Sequence, residues 1–114
     1  MICVITTWDI PDSIGGVVRD KAVGWVKRFT KHEIEKWPDV NTQVLRPWFI
    51  NTQTIKVMWT LENFEKWQEH NKTFWSDEGS KQMLDEMHAD QEEMGTHFFS
   101  NMRTEFYDMA DVSD

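Results

Sequence analysis

The sequence predicts an α+β fold in which four strands form one antiparallel sheet and helices cover one face of it. Two observations support this prediction. Segments with apolar residues at every second position alternate with segments of helical spacing, in the order strand, helix, strand, strand, two helices, strand. The chain also has 114 residues, which fits one domain with a substantial core.

A strand and a helix open the chain. Residues 2–7 alternate in a strand pattern that is largely apolar on both faces. After turn residues at 9–16, apolar side chains repeat with helical spacing at Ile14, Val18, Ala22, Trp25 and Phe29. Pro38 ends this helix, because a proline disfavours helical backbone at the residue before it.

A hairpin follows. Residues 42–50 form the predicted second strand, Asn51 and Thr52 the turn, and residues 54–59 the third strand. Pro47 has no N–H to give to a ladder, so the second strand is expected at an edge of the sheet or with a bulge at this position.

The third strand leads directly into a second helix, which we expect Thr60 to cap with its hydroxyl. Polar residues around Gly79, at 76–80, interrupt the pattern. A third helix is indicated by the spacing of Leu84, Met87, Gln91, Met94 and Phe98, with Gly95 able to end it. Residues 102–107 alternate as a last strand.

Composition narrows the function classes. We expect one domain, residues 1–109, and an acidic tail, residues 110–114. The net charge of −8 repels phosphate backbones and anionic lipid, so neither nucleic acid nor membrane is an expected partner. No apolar run is long enough for a membrane helix. The single cysteine, Cys3, allows no intrachain disulfide and suits a reducing compartment, so a cytoplasmic location is expected.

The predicted helices suffice for only one face of the sheet. The other face would carry apolar side chains of the first and third strands, among them some of Met1, Cys3, Ile5 and Met58. Monomers rarely expose an apolar patch of that size. We therefore predict a homodimer in which two sheets pack face to face around a twofold axis.

The second helix carries the candidate site residues. Offsets of three and four place Trp67, His70, Asn71 and Phe74 on one helical stripe, with Phe64 one turn before Trp67. Beside this aromatic wall His70 could serve as a general base or proton donor. The alternative is a partly solvated histidine at the edge of the stripe.

The third helix suggests a metal site only superficially. Asp85, His88 and Glu92 share one face, but one helix cannot supply a closed coordination shell. We interpret these residues as part of a solvated acidic face and expect no metal. The sequence also contains no Gly-rich phosphate loop, nucleophile elbow or H-x-x-x-H pair.

Two segments carry a family resemblance. The octet Thr60-x-Glu62-x-Phe64-x-x-Trp67, directly after a hairpin strand, resembles the strand-to-helix signature of the dimeric α+β barrel superfamily, in its antibiotic-biosynthesis-monooxygenase-like branch. Residues 37–40, Trp-Pro-Asp-Val, are similar to the proline-containing turn into the second strand of that family. The resemblance implies a ferredoxin-like βαββααβ fold, a homodimeric barrel and often a pocket between helices and sheet.

Members of this superfamily include cofactor-independent oxygenases acting on flat aromatic or quinone-like compounds, haem-degrading enzymes and proteins of no known activity. The resemblance thus implies a monooxygenase-like enzyme without a cofactor, acting on a small aromatic or polyketide-like compound. One alternative is a non-catalytic homodimer that binds a small molecule or has a regulatory role, and another is a purely structural subunit. In the enzyme or the binding protein, Phe64, Trp67, Asn71 and Phe74 would contact the ligand around His70.

The haem-degrading members use an asparagine on the first strand, a tryptophan early in the second helix and an iron-ligating histidine about three turns further along. Trp67 matches the tryptophan. The first strand has Thr6 and Thr7 instead, and Asp77 stands three turns after Trp67. A carboxylate is a poor substitute for imidazole on iron, so we predict that this protein does not degrade haem.

Overall fold

Four strands and three helices make up the computed structural model, which describes residues 1–11, 16–47 and 53–110. They follow the predicted order: β1 (Ile2–Asp9), α1 (Val17–Lys36), β2 (Asn41–Leu45), β3 (Thr54–Leu61), α2 (Phe64–Ser76), α3 (Glu78–Met94) and β4 (Ser100–Asp108). The strands form one antiparallel sheet in the order β2-β3-β1-β4. The predicted ferredoxin-like α+β fold is confirmed.

Strand β1 lies in the middle of the sheet and sets the register of both neighbours. Thr6 stands opposite Val57 of β3 on one side and Thr104 of β4 on the other. Because side chains alternate along a strand, these three lie on one face, with Val4 and Trp8. The three helices cover this face. Strand β2 lies at an edge, as predicted, although it ends at Leu45, before Pro47.

The core forms where α1 crosses this covered face. Val18, Ala22 and Val26 of α1 are buried against Ile55 and Val57 of β3. This confirms the apolar stripe of α1 from Val18 onward, whereas Ile14 lies outside the described residues. Burial of such aliphatic side chains is the main force that holds helix to sheet.

The end of α3 corrects one prediction. Gly95 adopts left-handed backbone, with φ of 70°, and ends the helix as its position suggests. Phe98 was predicted on the helical stripe but lies beyond the helix, where its ring is fully buried in the core. Its N–H donates to Oε1 of Gln91 at 2.9 Å, which fixes the chain after the helix.

The start of α2 corrects a second prediction, that Thr60 caps this helix. Thr60 does not cap the helix, because it is still in the β3 ladder opposite Cys3. Asn63 is the cap, and its side chain accepts from the N–H of Lys66 at 2.9 Å. The predicted break at 76–80 shrinks to one residue, Asp77, which separates α2 from α3.

Two predictions fall partly outside the described residues. The second strand ends at Leu45 rather than at Ile50, and Ile50 and the predicted turn at 51–52 lie outside the description. Only residue 110 of the predicted acidic tail is described. Within the three described ranges, no helix combines the length and apolar content needed to span a membrane.

The face of the sheet opposite the helices is bare. At its centre Ile5 stands opposite Met58, and both side chains are half-buried. Polar groups surround this pair. Arg103 of β4 forms an interstrand ion pair with Asp9 of β1 at 3.1 Å, and Lys56 donates to the hydroxyl of Thr7 at 3.2 Å. The bare face is thus apolar at its centre and charged toward one end.

Candidate functional site

A cavity of about 370 Å³ lies between the helices and the covered face of the sheet. All three helices and strands β1, β3 and β4 contribute to its walls. Most of the lining is aromatic or aliphatic, and none of the described residues that line it is a lysine or arginine. A largely apolar cavity with a few polar groups is the usual form of a small-molecule site.

Four of the five residues predicted for the site line this cavity: Trp67, His70, Asn71 and Phe74. Phe64 does not. Phe64 is 42% exposed, and its ring packs 6.2 Å from that of Trp67 and 5.2 Å from that of Phe106 of β4, measured between ring centroids. Phe64 therefore supports Trp67 from outside, and the structure brings the other four together along one wall. Their roles in binding and catalysis stay predictions.

His70 is held by a glutamate of another helix. Nε2 of His70 lies 2.6 Å from Oε1 of Glu33 on α1, and the two side chains are only 7% and 6% exposed. Packing against the sheet excludes water from both. A buried carboxylate needs hydrogen-bond partners, and this imidazole is one of them.

The same carboxylate oxygen accepts from the indole N–H of Trp59 on β3. An indole can only donate, so Oε1 of Glu33 is an acceptor. Nε2 of His70 must then carry the hydrogen that it shares with Glu33. In the neutral imidazole this leaves Nδ1 as the basic nitrogen, because the partner of one ring nitrogen sets the tautomer.

Aromatic rings fix the plane of the imidazole. Trp37, at the C-terminal end of α1, meets the His70 ring edge-on, with centroids 5.6 Å apart and an interplanar angle of 87°. Phe74 packs against the same indole at 5.7 Å. Edge-to-face packing of this kind is favourable and directional. Glu33 and Trp37 together therefore hold His70 in one orientation.

Glu33 was missed in the sequence, although a signal was present. It lies seven residues after Val26 and three after Thr30, both buried on the stripe of α1 that faces the sheet. A glutamate at a position that continues an apolar stripe must be buried, and buried carboxylates need partners. Its spacing alone could have marked it.

The sheet adds a pair of hydroxyls. Oγ1 of Thr6 and Oγ1 of Thr104 lie 2.9 Å apart, and both residues line the cavity. Thr6 is 5% exposed and Thr104 is half-buried. The polar groups of the cavity are therefore divided between the sheet, which carries the threonine pair, and the helices, which carry Glu33 and His70.

Asp77 joins a separate cluster that does not line the cavity. Its carboxylate accepts from Lys36, from His32 at 2.7 Å and from the N–H of Ser80 at 3.1 Å, which caps α3. The hydrogen bond from Lys36, followed by that from His32, holds the pKa of Asp77 well below its usual range. This cluster ties the start of α3 to the end of α1.

The acidic residues of α3 form no metal centre in the part of the chain that the structure describes. Asp85, His88 and Glu92 are exposed. Among the described residues, no group of three or more His, Cys, Asp or Glu side chains is arranged to hold a metal ion.

Comparison with known proteins identifies the fold. No family model matches the sequence, and no curated protein sequence matches it. Solved structures do match over nearly the whole chain. Protein Atu4242 from Agrobacterium tumefaciens has a TM-score of 0.71 at 10% identity, covering 98% of this chain and 96% of that one.

Two further structures are similar to this chain. SnoaB, a cofactor-independent oxygenase from Streptomyces nogalater, has a TM-score of 0.55 at 8% identity, covering 97% of this chain and 94% of that one. MhuD, with two manganese protoporphyrin IX bound per active site, has a TM-score of 0.57 at 17% identity and 98% coverage of both chains.

These likenesses define the class of this protein by its fold. It is a ferredoxin-like α+β protein with an aromatic cavity between helices and sheet. The α+β fold that the resemblance implies is confirmed by these structures.

Proposed function

We propose that this protein is a cytoplasmic homodimer that binds a small aromatic or polyketide-like compound in its cavity and oxidises it as a cofactor-independent monooxygenase-like enzyme. The observation that carries this proposal is the buried His70, oriented by Glu33, in the wall of a largely apolar cavity of about 370 Å³. A base placed beside an apolar ligand and shielded from water is suited to removing a proton from it.

The proposed reaction needs only the substrate, oxygen and a base. His70 removes a proton from an activated CH₂ group of a flat ring system, and the carbanion is delocalised over the rings. Addition of O₂ forms a hydroperoxide anion, which takes the proton back from His70. Loss of water leaves a ketone, so that R₂CH₂ and O₂ become R₂C=O and H₂O. The substrate supplies all the electrons.

The residues around His70 have distinct roles in this proposal. Trp67 and Phe74 form aromatic walls against which a flat ring can stack. Asn71 offers an amide that can bind a substrate oxygen. Glu33 stabilises the imidazolium that forms when His70 takes up the proton, because a carboxylate favours the charged partner.

Two further observations support the proposal. The likeness to SnoaB extends over almost the whole chain, so the same fold holds a cofactor-independent oxygenase elsewhere. The half-buried pair of Ile5 and Met58 on the bare face offers an apolar centre for a second sheet. A dimer formed through this face leaves the cavity, on the other face, free for a ligand.

Protoporphyrin, which MhuD binds, does not fit the residues of this cavity. Asp77, at the position where a haem-degrading relative has its iron ligand, is engaged by Lys36 and His32 and does not line the cavity. Nε2 of His70 is bound to Glu33, which leaves only Nδ1 free. None of the described lining residues is a cation that could pair with propionates, and the Glu33 carboxylate repels them.

The alternative is a homodimer that binds a small molecule without chemistry. The observation that favours it is that Glu33 is already satisfied by Trp59 and His70, so the three groups form a closed buried network that would stabilise the fold on its own. Binding in the cavity would then rest on aromatic stacking and on the remaining polar groups of its lining, among them Asn71 and the pair of Thr6 and Thr104.

Measurement of oxygen uptake distinguishes the proposed oxygenase from the non-catalytic binding protein. The probe is anthrone, a flat tricyclic compound with an activated CH₂ group. The unmodified protein is compared with His70→Gln and with a matched control, His88→Gln, which lies on the exposed face of α3. The proposal expects one O₂ consumed per ketone formed, loss of at least tenfold in rate with His70→Gln and no change with His88→Gln. Binding of anthrone without oxygen uptake would establish the alternative.

A further inference from the structure

We infer that the hydroxyl pair of Thr6 and Thr104 is a second ligand-binding contact, and that the ligand is a flat apolar molecule with an oxygen atom at the end that faces these threonines, opposite the CH₂ group that faces His70. This inference rests on the proposed function and narrows its substrate class.

The hydrogen-bonding capacity of the two hydroxyls is only partly used by their mutual bond. Each hydroxyl has one hydrogen and two lone pairs. The bond of 2.9 Å between Oγ1 of Thr6 and Oγ1 of Thr104 uses one hydrogen and one lone pair. One hydrogen and three lone pairs remain at the cavity wall, so the pair can donate to a carbonyl oxygen or accept from a hydroxyl.

Packing against the neighbouring strands does not require a hydroxyl at the position of Thr6. It lies on the central strand, on the face that also carries Val4, and stands opposite Val57. Valine has nearly the shape of threonine and packs at least as well in a buried strand. Beyond its bond to Thr104, the hydroxyl of Thr6 is therefore available to a polar ligand group in the cavity.

The two polar sets lie on opposite layers of the molecule. Thr6 and Thr104 belong to the sheet, whereas His70 and Glu33 belong to helices α2 and α1. Thr30 lies one turn before Glu33 and adds a hydroxyl to the helical side. Between the layers the walls are mainly aromatic. A ligand that satisfies both sets must therefore span the cavity from sheet to helices with an apolar body.

A pair of isosteric probes tests this arrangement. 2,6-Dihydroxynaphthalene has an oxygen at each end, and 2,6-dimethylnaphthalene has the same shape with no oxygen. Their affinities are measured by quenching of tryptophan fluorescence for the unmodified protein, Thr104→Val and Thr6→Val. Thr60→Val is the matched control, because Thr60 is a β3 threonine on the bare face of the sheet.

Each valine variant should lower the affinity for the dihydroxy probe by about 3–10-fold, as expected for one hydrogen bond between neutral groups, and change that for the dimethyl probe less than twofold. Thr60→Val should change neither. Thr104→Ser, which keeps the hydroxyl, should restore binding of the dihydroxy probe. Equal effects on the two probes, no effect on either, or no binding of the dihydroxy probe would overturn the inference.

His70→Gln separates this inference from the proposed function. If the threonine variants discriminate between the probes while His70→Gln leaves anthrone oxidation unchanged, the hydroxyl contact stands and the proposed catalysis fails. If His70→Gln abolishes oxidation while Thr104→Val and Thr6→Val treat both probes alike, the catalysis stands and the hydroxyl contact fails. A melting curve for each variant confirms that it is folded.

Discussion

Nε2 of His70 lies 2.6 Å from Oε1 of Glu33, although the two residues are 37 positions apart in the chain and on different helices. The indole of Trp59 donates to the same oxygen. Three elements, α1, β3 and α2, thus meet at one buried carboxylate oxygen, and the orientation of the only histidine among the described cavity-lining residues depends on it.

Removing this carboxylate should destabilise the protein. Glu33→Ala leaves the N–H groups of His70 and Trp59 buried without an acceptor, and we expect the free energy of unfolding to fall by roughly 3–5 kcal/mol. Glu33→Gln keeps an acceptor oxygen and should cost about 1 kcal/mol. Urea denaturation measures both values.

The control for this prediction is Glu35→Ala, two residues further along α1 and exposed to solvent. Surface substitutions of this kind usually change stability by less than about 0.5 kcal/mol. An equal loss for Glu33→Ala and Glu35→Ala would show that Glu33 has no buried partners in solution, and the orientation of His70 would then need another explanation.

Most of the fold could be predicted because its signals are local. The period of apolar residues marks β1, β3 and α1 within a few turns of chain. The cap of α2 could not be predicted as easily, since Thr60 and Asn63 are both good caps and the choice depends on Cys3, which holds Thr60 in the β3 ladder. The ladder extends β3 by two residues, Thr60 and Leu61, beyond the predicted end at residue 59, and the helix starts correspondingly later.

Only the part of the candidate site that lies on α2 could be predicted from the sequence, again because its signals are local. Trp67, His70, Asn71 and Phe74 share a helix, so offsets of three and four place them together. Glu33 comes from another helix, and neither its spacing nor its type names His70 as its partner. Thr6 and Thr104 are likewise separated by almost the whole chain, and only the register of the sheet shows that they are paired. Contacts between segments that are distant in the sequence can be identified only once the fold is known.

The protein should form a homodimer through the bare face of the sheet. Light scattering over a dilution series should report twice the chain mass of 13.6 kDa. Ile5→Glu puts a carboxylate beside Met58 at the apolar centre of this face and should convert the dimer to a monomer, because burying an unpaired charge in an interface is costly.

The matched control is Ile34→Glu, the same change at an exposed position of helix α1. It should leave the mass at the dimer value. A well-behaved monomer of the unmodified protein at micromolar concentration would contradict the proposed dimer, and a dimer that survives Ile5→Glu would place the interface elsewhere.

Asp77 should make stability depend on pH in the acid range. Its pKa is lowered in the folded protein by the hydrogen bonds from Lys36 and His32, so its contribution is fully present above the unfolded value of about 3.9 and is lost as the pH falls below it. The advantage of the unmodified protein over Asp77→Asn should therefore shrink between about pH 4 and pH 2.

Asparagine is a good helix cap, so Asp77→Asn keeps the hydrogen bond to Ser80 and tests mainly the charge. Urea denaturation at several pH values measures the difference. Asp85→Asn, on the exposed face of α3, is the control and should differ little from the unmodified protein at any pH. A difference between the unmodified protein and Asp77→Asn that does not change with pH would show that the ion pairs to Asp77 do not form in solution.

The last prediction concerns haem. We expect this protein not to degrade it, although its fold is that of MhuD, which binds a manganese porphyrin. Iron held by a histidine needs a free ring nitrogen that faces the porphyrin. At the position three turns after Trp67 the chain has Asp77, and this carboxylate is held by Lys36 and His32 away from the cavity.

His70 is not a ready replacement. Ligation through Nε2 would break its bond to Glu33, and the buried Glu33 carboxylate repels the propionates of a porphyrin whichever ring nitrogen faces the iron. Titration with haem should therefore give no Soret shift of the histidine type at a one-to-one ratio, and reductant with oxygen should release no iron above a free-haem control. A tight one-to-one haem complex that His70→Ala abolishes would contradict this prediction, because it would show that the iron ligand has moved along α2 to His70. In that case Glu33→Gln should strengthen haem binding, since it removes the negative charge that repels the propionates.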